Sequence, residues 1–247
     1  MIKTQNLPKY LAFLLLTVVS GSDLVISQVL AQSSVQSSIG KSVTFTCNDS
    51  EAKIKAKNGP KVTFGPTTIY IGYQQISFKN QAPRIIRFDN GFKTWCRSDY
   101  ETTNDDSRGY GLLWNGGNAL YGVFSTTGTH SGNDFRRFAK NSWLSGYGNG
   151  GGAKIAVIAR INPANGNVYQ ATFLSAKRPS DGRTNSLEVN NLSWNGSNLT
   201  VKGNAWWSPR RPDKNIMNCA GSSPFKYTTV FSGDLTKVTS SSAVNCN

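Results

Sequence analysis

The chain has 247 residues, of which 38% are hydrophobic, 11% are aromatic and only 16% are charged. The low charge and the 24 glycines exclude coiled coils and helical bundles, while the aromatic content excludes a disordered chain. Lys and Arg number 27 against 13 Asp and Glu, a formal net charge of +14 that attracts polyanions over long range.

The first 31 residues predict a secretory signal peptide. Lys3 and Lys9 form a basic n-region, and residues 11–19 form an apolar run, with Thr17 as its one polar residue, that ends before Asp23. A membrane anchor would need about 20 apolar residues, so a cleaved signal is the favoured interpretation. Cleavage is expected after Ala31, and a site near residues 20–22 is the alternative. Cleavage there leaves 25 basic and 12 acidic residues, a net charge of +13, and no further segment of membrane-spanning length.

The mature chain is predicted to begin with a flexible polar lead over residues 32–40, QSSVQSSIG. Residues 41–247 are predicted to form a single β domain. The Gly-rich stretch 146–152 could join two halves, but the composition is the same on both of its sides.

Four cysteines, Cys47, Cys96, Cys219 and Cys246, predict two disulfides in an oxidising compartment. No C-x-x-C pair occurs and a lone histidine cannot complete a zinc site, so neither a metal nor another cofactor is predicted. Of the three pairings, Cys47–Cys96 and Cys219–Cys246 are expected because each closes a local loop. Four reduced, buried thiols are the alternative.

Short alternating apolar segments recur between Asn-Gly and other Gly-rich turns, a pattern typical of β-hairpins. They predict an all-β antiparallel meander of about ten strands, which forms either a barrel or a two-sheet sandwich. The predicted strands cover residues 42–47, 67–78, 85–88, 92–96, 110–114, 119–124, 153–162, 168–176, 187–194, 199–207 and 227–231.

One short helix is predicted near residues 133–142. Asn133 or Asp134 would cap it, and Phe135 and Phe138 would share the face that packs on the sheet.

Two groups of residues are candidates for catalysis. His130 could act as a general base oriented by Asp134, although a solvated loop imidazole is the more ordinary interpretation. Asp99 and Glu101 alternate along one predicted strand and could share a site, but nearby arginines such as Arg97 could equally pair with them at the surface. No G-x-S-x-G elbow supports a serine hydrolase.

The strongest binding candidates are Trp206, Trp207, Arg210 and Arg211, where a strand ends in two adjacent rings and a proline-flanked arginine pair. One Trp is expected to enter the core and the other to face outward, because neighbours on a strand point to opposite faces. An outward ring could stack on a sugar while the guanidinium groups bind an anion. The alternative is that both rings are core and the arginines are solvated.

The Gly-rich stretch 146–152 is not a phosphate-binding loop, because Lys154 opens a predicted strand and no G-K-[ST] sequence follows. With Trp143 and Tyr147 it could form the rim of a binding site.

These features favour an exported, non-catalytic binder of polysaccharide or another polyanion, in the periplasm or at the cell surface. The alternatives are a closed barrel that carries a small apolar ligand, a hydrolase, and a structural envelope protein. Nucleic acid is the least favoured partner, since no recognition motif occurs and export separates the protein from it.

Overall fold

Three antiparallel sheets stack face to face in a computed structural model, which describes residues 35–127, 133–149 and 154–247. The predicted signal peptide, residues 150–152 of the Gly-rich stretch, and His130 lie outside the described residues. Within the described ranges, no helix has the length and apolar character needed to cross a membrane.

Fifteen strands and two short helices make up the described fold. The strands are β1 (Gln36–Ile39), β2 (Lys61–Phe64), β3 (Thr67–Ser77), β4 (Asn80–Asp89), β5 (Phe92–Arg97), β6 (Ser107–Trp114), β7 (Leu120–Thr126), β8 (Ile155–Ile161), β9 (Val168–Leu174), β10 (Ala176–Lys177), β11 (Thr184–Asn185), β12 (Leu187–Trp194), β13 (Asn198–Ala205), β14 (Phe225–Ser232) and β15 (Val238–Ala243). The helices are α1 (Glu51–Lys55) and a 3-10 helix (Phe135–Phe138).

Each layer is an open sheet. The N-terminal sheet has the order β2-β3-β4-β5, the central sheet β1-β6-β7-β8-β9 and the C-terminal sheet β12-β13-β14-β15, while β10 and β11 form a two-stranded ribbon. The antiparallel meander is therefore confirmed. Because the described sheets have free edge strands and do not close, the architecture is the sandwich rather than the barrel, with three main layers where two were expected.

The central sheet is buried on both of its faces. In β8, Ile155 and Val157 pack towards the N-terminal sheet, whereas Ala156 and Ile158 pack towards the C-terminal sheet. This explains why the first five residues of β8, IAVIA, are all apolar instead of alternating strictly. The two cores share this sheet, so the outer layers are held together through it.

A smaller core lies on the outer face of the N-terminal sheet, under helix α1. Ile54 of the helix packs there with Phe45, Tyr70, Ile86 and Phe88. The helix begins because the hydroxyl of its N-cap residue accepts a hydrogen bond from the third residue of the first turn. A helix of only five residues depends on this packing for its stability.

Both predicted disulfides are present. Cys47–Cys96 joins the segment before α1 to β5, and Cys219–Cys246 fastens the C-terminal residues to the loop before β14. All four cysteines are paired. Two disulfides in one small chain are typical of an oxidising compartment.

The structure departs from the sequence-based expectation at two places. Residues 36–39 of the predicted flexible lead form β1, which pairs with β6. Its Gln-Ser-Ser-Ile sequence carries little strand propensity, so the preformed edge of β6 determines its conformation. The predicted helix near 133–142 is a single 3-10 turn over Phe135–Phe138, with Asp134 as its cap and Phe135 buried against Phe124.

Asp89 joins three strands at one end of the N-terminal sheet. Its carboxylate accepts hydrogen bonds from Thr67 on β3, Arg87 on β4 and Thr94 on β5. Burial alone would raise the pKa of Asp89, but these donors outweigh burial and lower it to about 2.

The same end of the N-terminal sheet is fastened to the central sheet at the β8–β9 turn. Arg87 Nη1 and Trp95 Nε1 both donate to the carbonyl oxygen of Pro163, at 2.7 and 3.0 Å. The ion pair of Arg87 with Asp89, at 2.9 Å, holds the guanidinium in place for this contact.

Truncation at either of two successive β8 positions should destabilise the fold to a similar degree, because both faces of the strand are buried. Val157→Ala and Ile158→Ala are each expected to lower the free energy of unfolding by about 2–4 kcal/mol. Chemical denaturation measures this. Thr228→Ala, on the outward face of β14, should change stability by less than about 0.5 kcal/mol. A tolerated change at either β8 position would contradict the three-layer packing.

Asp89→Asn is expected to lower the free energy of unfolding at pH 7 by about 1–2 kcal/mol. A carboxylate with a lowered native pKa stabilises the fold above its unfolded pKa of about 3.9, and this stabilisation is lost as the pH falls towards the native value of about 2. The difference between wild type and variant should therefore shrink over that window in urea titrations. An unchanged difference would show that the Asp89 charge has no role, and exposed Asp106→Asn is the control.

Candidate functional site

A groove of about 480 Å³ lies at the edge where the central sheet meets the C-terminal sheet. This volume falls in the range of about 300–1,000 Å³ that is usual for small-ligand sites. Its lining comes from segments far apart in the chain and consists of Gly40, Lys41, Ser42, Arg108, Tyr110, Ser125, Lys154, Asn185, Ser186, Leu187, Glu188 and Trp206.

Hydrogen bonds around Ser186 fix one wall of the groove. Its carbonyl oxygen accepts from the backbone N–H of Trp206, and its hydroxyl accepts from the backbone N–H of Lys154, both at 3.0 Å. The N–H of Leu187 in turn donates to the carbonyl of Lys154. Lys154 and Trp206 are thereby held on opposite sides of the same short segment.

The other wall is the end of β6 with the residues that follow β1. The N–H of Gly40 donates to the carbonyl of Tyr110 at 3.0 Å, and the Ser42 hydroxyl donates to the carbonyl of Gly109 at 2.6 Å. The Tyr110 hydroxyl accepts a hydrogen bond from the N–H of Val189 on β12, also at 3.0 Å. Tyr110 thus connects the central and C-terminal sheets at the groove.

The groove is electropositive. Lys41, Arg108 and Lys154 line it, and Glu188 is the one acid among its described lining residues. No ion pair within residues 35–127, 133–149 and 154–247 involves any of these three cations. Their charge is therefore available to an anionic ligand.

Arg108 is oriented by two neighbours rather than by a carboxylate. Its guanidinium lies over the ring of Tyr73, 4.9 Å from the centroid, and its Nε donates to the side-chain oxygen of Gln81. Neither contact neutralises the charge. The positioned guanidinium can therefore donate to a ligand without first losing an ionic partner.

Trp206 and Trp207 follow the last residue of β13 and take different positions. Trp206 is half-buried and lines the groove, whereas Trp207 is 46% exposed. Trp207 has a φ of 97°, an uncommon conformation for a bulky residue that ends the strand at this point. Neither ring is in the apolar core, although the strand alternation predicted that one would be.

The predicted arginine pair does not line the groove. Arg210 is only 9% exposed, and its Nη1 donates to the carbonyl of Lys214 at 2.7 Å, which closes the turn that follows. Arg211 is exposed and lies 3.7 Å from a carboxylate oxygen of Asp213. Of the two, only Arg211 presents its guanidinium to solvent.

Trp143 and Tyr147 are core residues, 2% and 3% exposed. Trp143 packs edge-on against Phe231 and donates from Nε1 to the carbonyl of Pro212, while Tyr147 packs against Phe173. The structure therefore gives them packing roles and does not place them at the rim of the groove.

The two candidate carboxylates lie in different environments. Asp99 is at the surface, where Arg97 pairs with it at 2.6 Å and lowers its pKa. Glu101 is fully buried, burial raises its pKa, and it accepts from the backbone N–H of Thr103 at 2.5 Å. Asp134 caps the 3-10 helix and pairs with Arg136 at 2.6 Å.

Comparison of the chain with protein-family models, with curated proteins and with solved structures finds no match. Function is therefore inferred from the groove itself. Trp206 was found from the sequence by its place at a strand end. The sequence did not identify the three groove cations, Lys41, Arg108 and Lys154. Arg108 stands 67 positions after Lys41 and 46 before Lys154, and the three meet only through the stacking of sheets.

Tyr110→Phe is expected to lower the free energy of unfolding by about 1 kcal/mol, because the Val189 N–H loses its acceptor. Denaturant titration measures the change. Tyr169→Phe is the matched control, since Tyr169 is 55% exposed and should change stability by less than about 0.5 kcal/mol. Equal effects of the two substitutions would show that the Tyr110 bond does not join the sheets.

Proposed function

We propose that this protein is exported and binds a short segment of an anionic polysaccharide in the groove, without transforming it. One observation carries the proposal: Lys41, Arg108, Lys154 and Trp206 line a single groove in which no ion pair among the described residues neutralises the cations. A ring beside several cations suits a sugar that bears carboxylate or sulfate groups.

The polar lining supports a carbohydrate ligand over a purely ionic one. Ser42, Ser125, Asn185 and Ser186 add hydroxyl and amide groups that can exchange hydrogen bonds with sugar hydroxyls. The apolar face of a pyranose ring can pack on the half-buried Trp206 ring, which a simple inorganic anion would not use. Exposed Lys41 and Lys154 leave the groove open to solvent, as a polymer that extends beyond the groove requires.

The sequence and the disulfides together support the proposed compartment. Residues 1–31 have the layout of a signal peptide, and two disulfides suit an oxidising environment. We place the protein in the periplasm or at the cell surface, where acidic envelope polysaccharides are available. The surplus of 25 basic over 12 acidic residues in the processed chain would attract such polymers before the groove engages them.

Removal of the two groove lysines tests the ionic part of the proposal. The Lys41→Ala, Lys154→Ala double variant is expected to bind polygalacturonate at least about tenfold more weakly at low salt, because charge-assisted hydrogen bonds are lost. Isothermal titration calorimetry with defined oligogalacturonates measures the affinity. The Lys55→Ala, Lys57→Ala double variant is the matched control, because it removes the same charge from exposed positions in and after α1. It should weaken binding less than the groove variant does.

The double variants separate a specific groove from general attraction. Equal weakening in both would attribute binding to net charge and would contradict the groove. Absence of binding by the wild-type protein to polygalacturonate and to a sulfated polysaccharide such as heparin, at low salt, would overturn the function as a whole.

Trp206→Ala tests the stacking part. The loss of affinity, about tenfold, should persist in 0.5 M NaCl, whereas the effect of the lysine substitutions should largely disappear there because salt screens exposed charges. Trp207→Ala is the adjacent control and should leave affinity unchanged, since Trp207 does not line the groove. An equal loss for the two tryptophans would move the contact from the groove to the outer surface.

A further inference from the structure

The β3–β4 hairpin extends beyond the other strands of its sheet. β2 pairs with residues 67–70 and β5 with residues 85–89, so neither outer strand reaches the far half of the hairpin. Single bridges from Thr44 to Tyr73 and from Asp106 to Gln81 mark the last contacts of the ladder with other segments. Between Gln81 and the turn, the two strands pair only with each other among the described residues.

The apex of this hairpin carries apolar side chains in solvent. Phe78 is 96% exposed and Ile76 is 51% exposed, and Lys79 follows them. Ile76 sits where the register shifts between Gln75 and Ser77. A phenylalanine ring left in water forgoes the free energy that an apolar environment would supply.

The glutamine amides next to the turn are paired within the hairpin. Gln75 Nε2 donates to the carbonyls of Ser77 and Asn80 at 2.6 and 3.3 Å, and Gln81 Nε2 donates to Gln75 Oε1 at 3.0 Å. Asn80 Oδ1 has no hydrogen-bond partner among the described residues. Transfer of the apex into a medium of low polarity therefore leaves these two glutamine amides paired.

We propose that this apex inserts into the surface of an anionic lipid bilayer. Two apolar side chains offer far less than the roughly 1,200 Å² of a stable protein interface, whereas an exposed aromatic ring is a side chain that enters the headgroup boundary of a bilayer. Lys79 lies in the hairpin turn, two positions nearer the apex than Gln81, which forms a bridge with Asp106. The cation of Lys79 would therefore reach the lipid phosphates before the carboxylate of Asp106 does.

The proposal is tested by co-flotation with vesicles of equal parts phosphatidylcholine and phosphatidylglycerol. The processed chain is used, with its N-terminus verified by mass, because residues 11–19 would bind lipid on their own. Phe78→Ala is expected to lower the partition coefficient about tenfold. Phe92→Ala is the matched control and should have no effect, because Phe92 is 79% exposed but is the first residue of β5, at the opposite end of β4.

Insertion depth gives a second readout. In vesicles with brominated acyl chains, the tryptophan fluorescence of Phe78→Trp should be quenched more than that of the wild-type protein. The fluorescence of Phe92→Trp should be quenched no more than that of the wild-type protein. Three results would overturn the proposal: no flotation of the wild-type protein, equal losses for Phe78→Ala and Phe92→Ala, or self-association in sedimentation velocity that Phe78→Ala abolishes. Trp206→Ala should float like wild type, so a failure of the groove proposal is distinguishable from a failure of this one.

Discussion

Burial of the central sheet on both faces is the constraint on which the rest of the structure depends. A strand covered on both sides cannot alternate apolar and polar residues, so successive positions of β8 such as Val157 and Ile158 must all be apolar. The C-terminal sheet has one buried face, whereas the N-terminal sheet also buries part of its outer face under α1. Most charged side chains consequently lie on outer faces, turns and sheet edges.

The groove is a consequence of that confinement. At the edge where β1 and β6 pass the start of β12, the two sheets diverge, and cations excluded from the layers collect around the gap. The chain has few acids, and several already pair locally with an arginine, as Asp89 does with Arg87 and Asp99 with Arg97. Lys41, Arg108 and Lys154 are left without an ionic partner in the described part of the chain, and their charge faces the gap.

The local features of the fold could be predicted from the sequence, whereas its layering could not. Asn-Gly turns located the hairpins, and local loop closure identified both disulfides. Strand alternation cannot by itself distinguish two layers from three, although the uninterrupted IAVIA of β8 carries the signal of a strand buried on both faces. β1 escaped prediction because pairing with β6 decides its conformation. Trp206 was recognisable from its position, but the cations beside it belong to distant segments and meet only in the folded protein.

One hydrogen-bond network connects the groove to the projecting hairpin. Gln81 accepts from Arg108 in the groove and donates to Gln75, whose amide donates to two carbonyls of the hairpin turn. The Gln81 side-chain amide keeps both hydrogen bonds, one accepted from Arg108 and one donated to Gln75, only while both partners stay in place. The position of the Arg108 guanidinium therefore depends on the register of β3 and β4 beyond their sheet. A contact that moved the hairpin turn would act on the groove through Gln81, since the same side chain serves both.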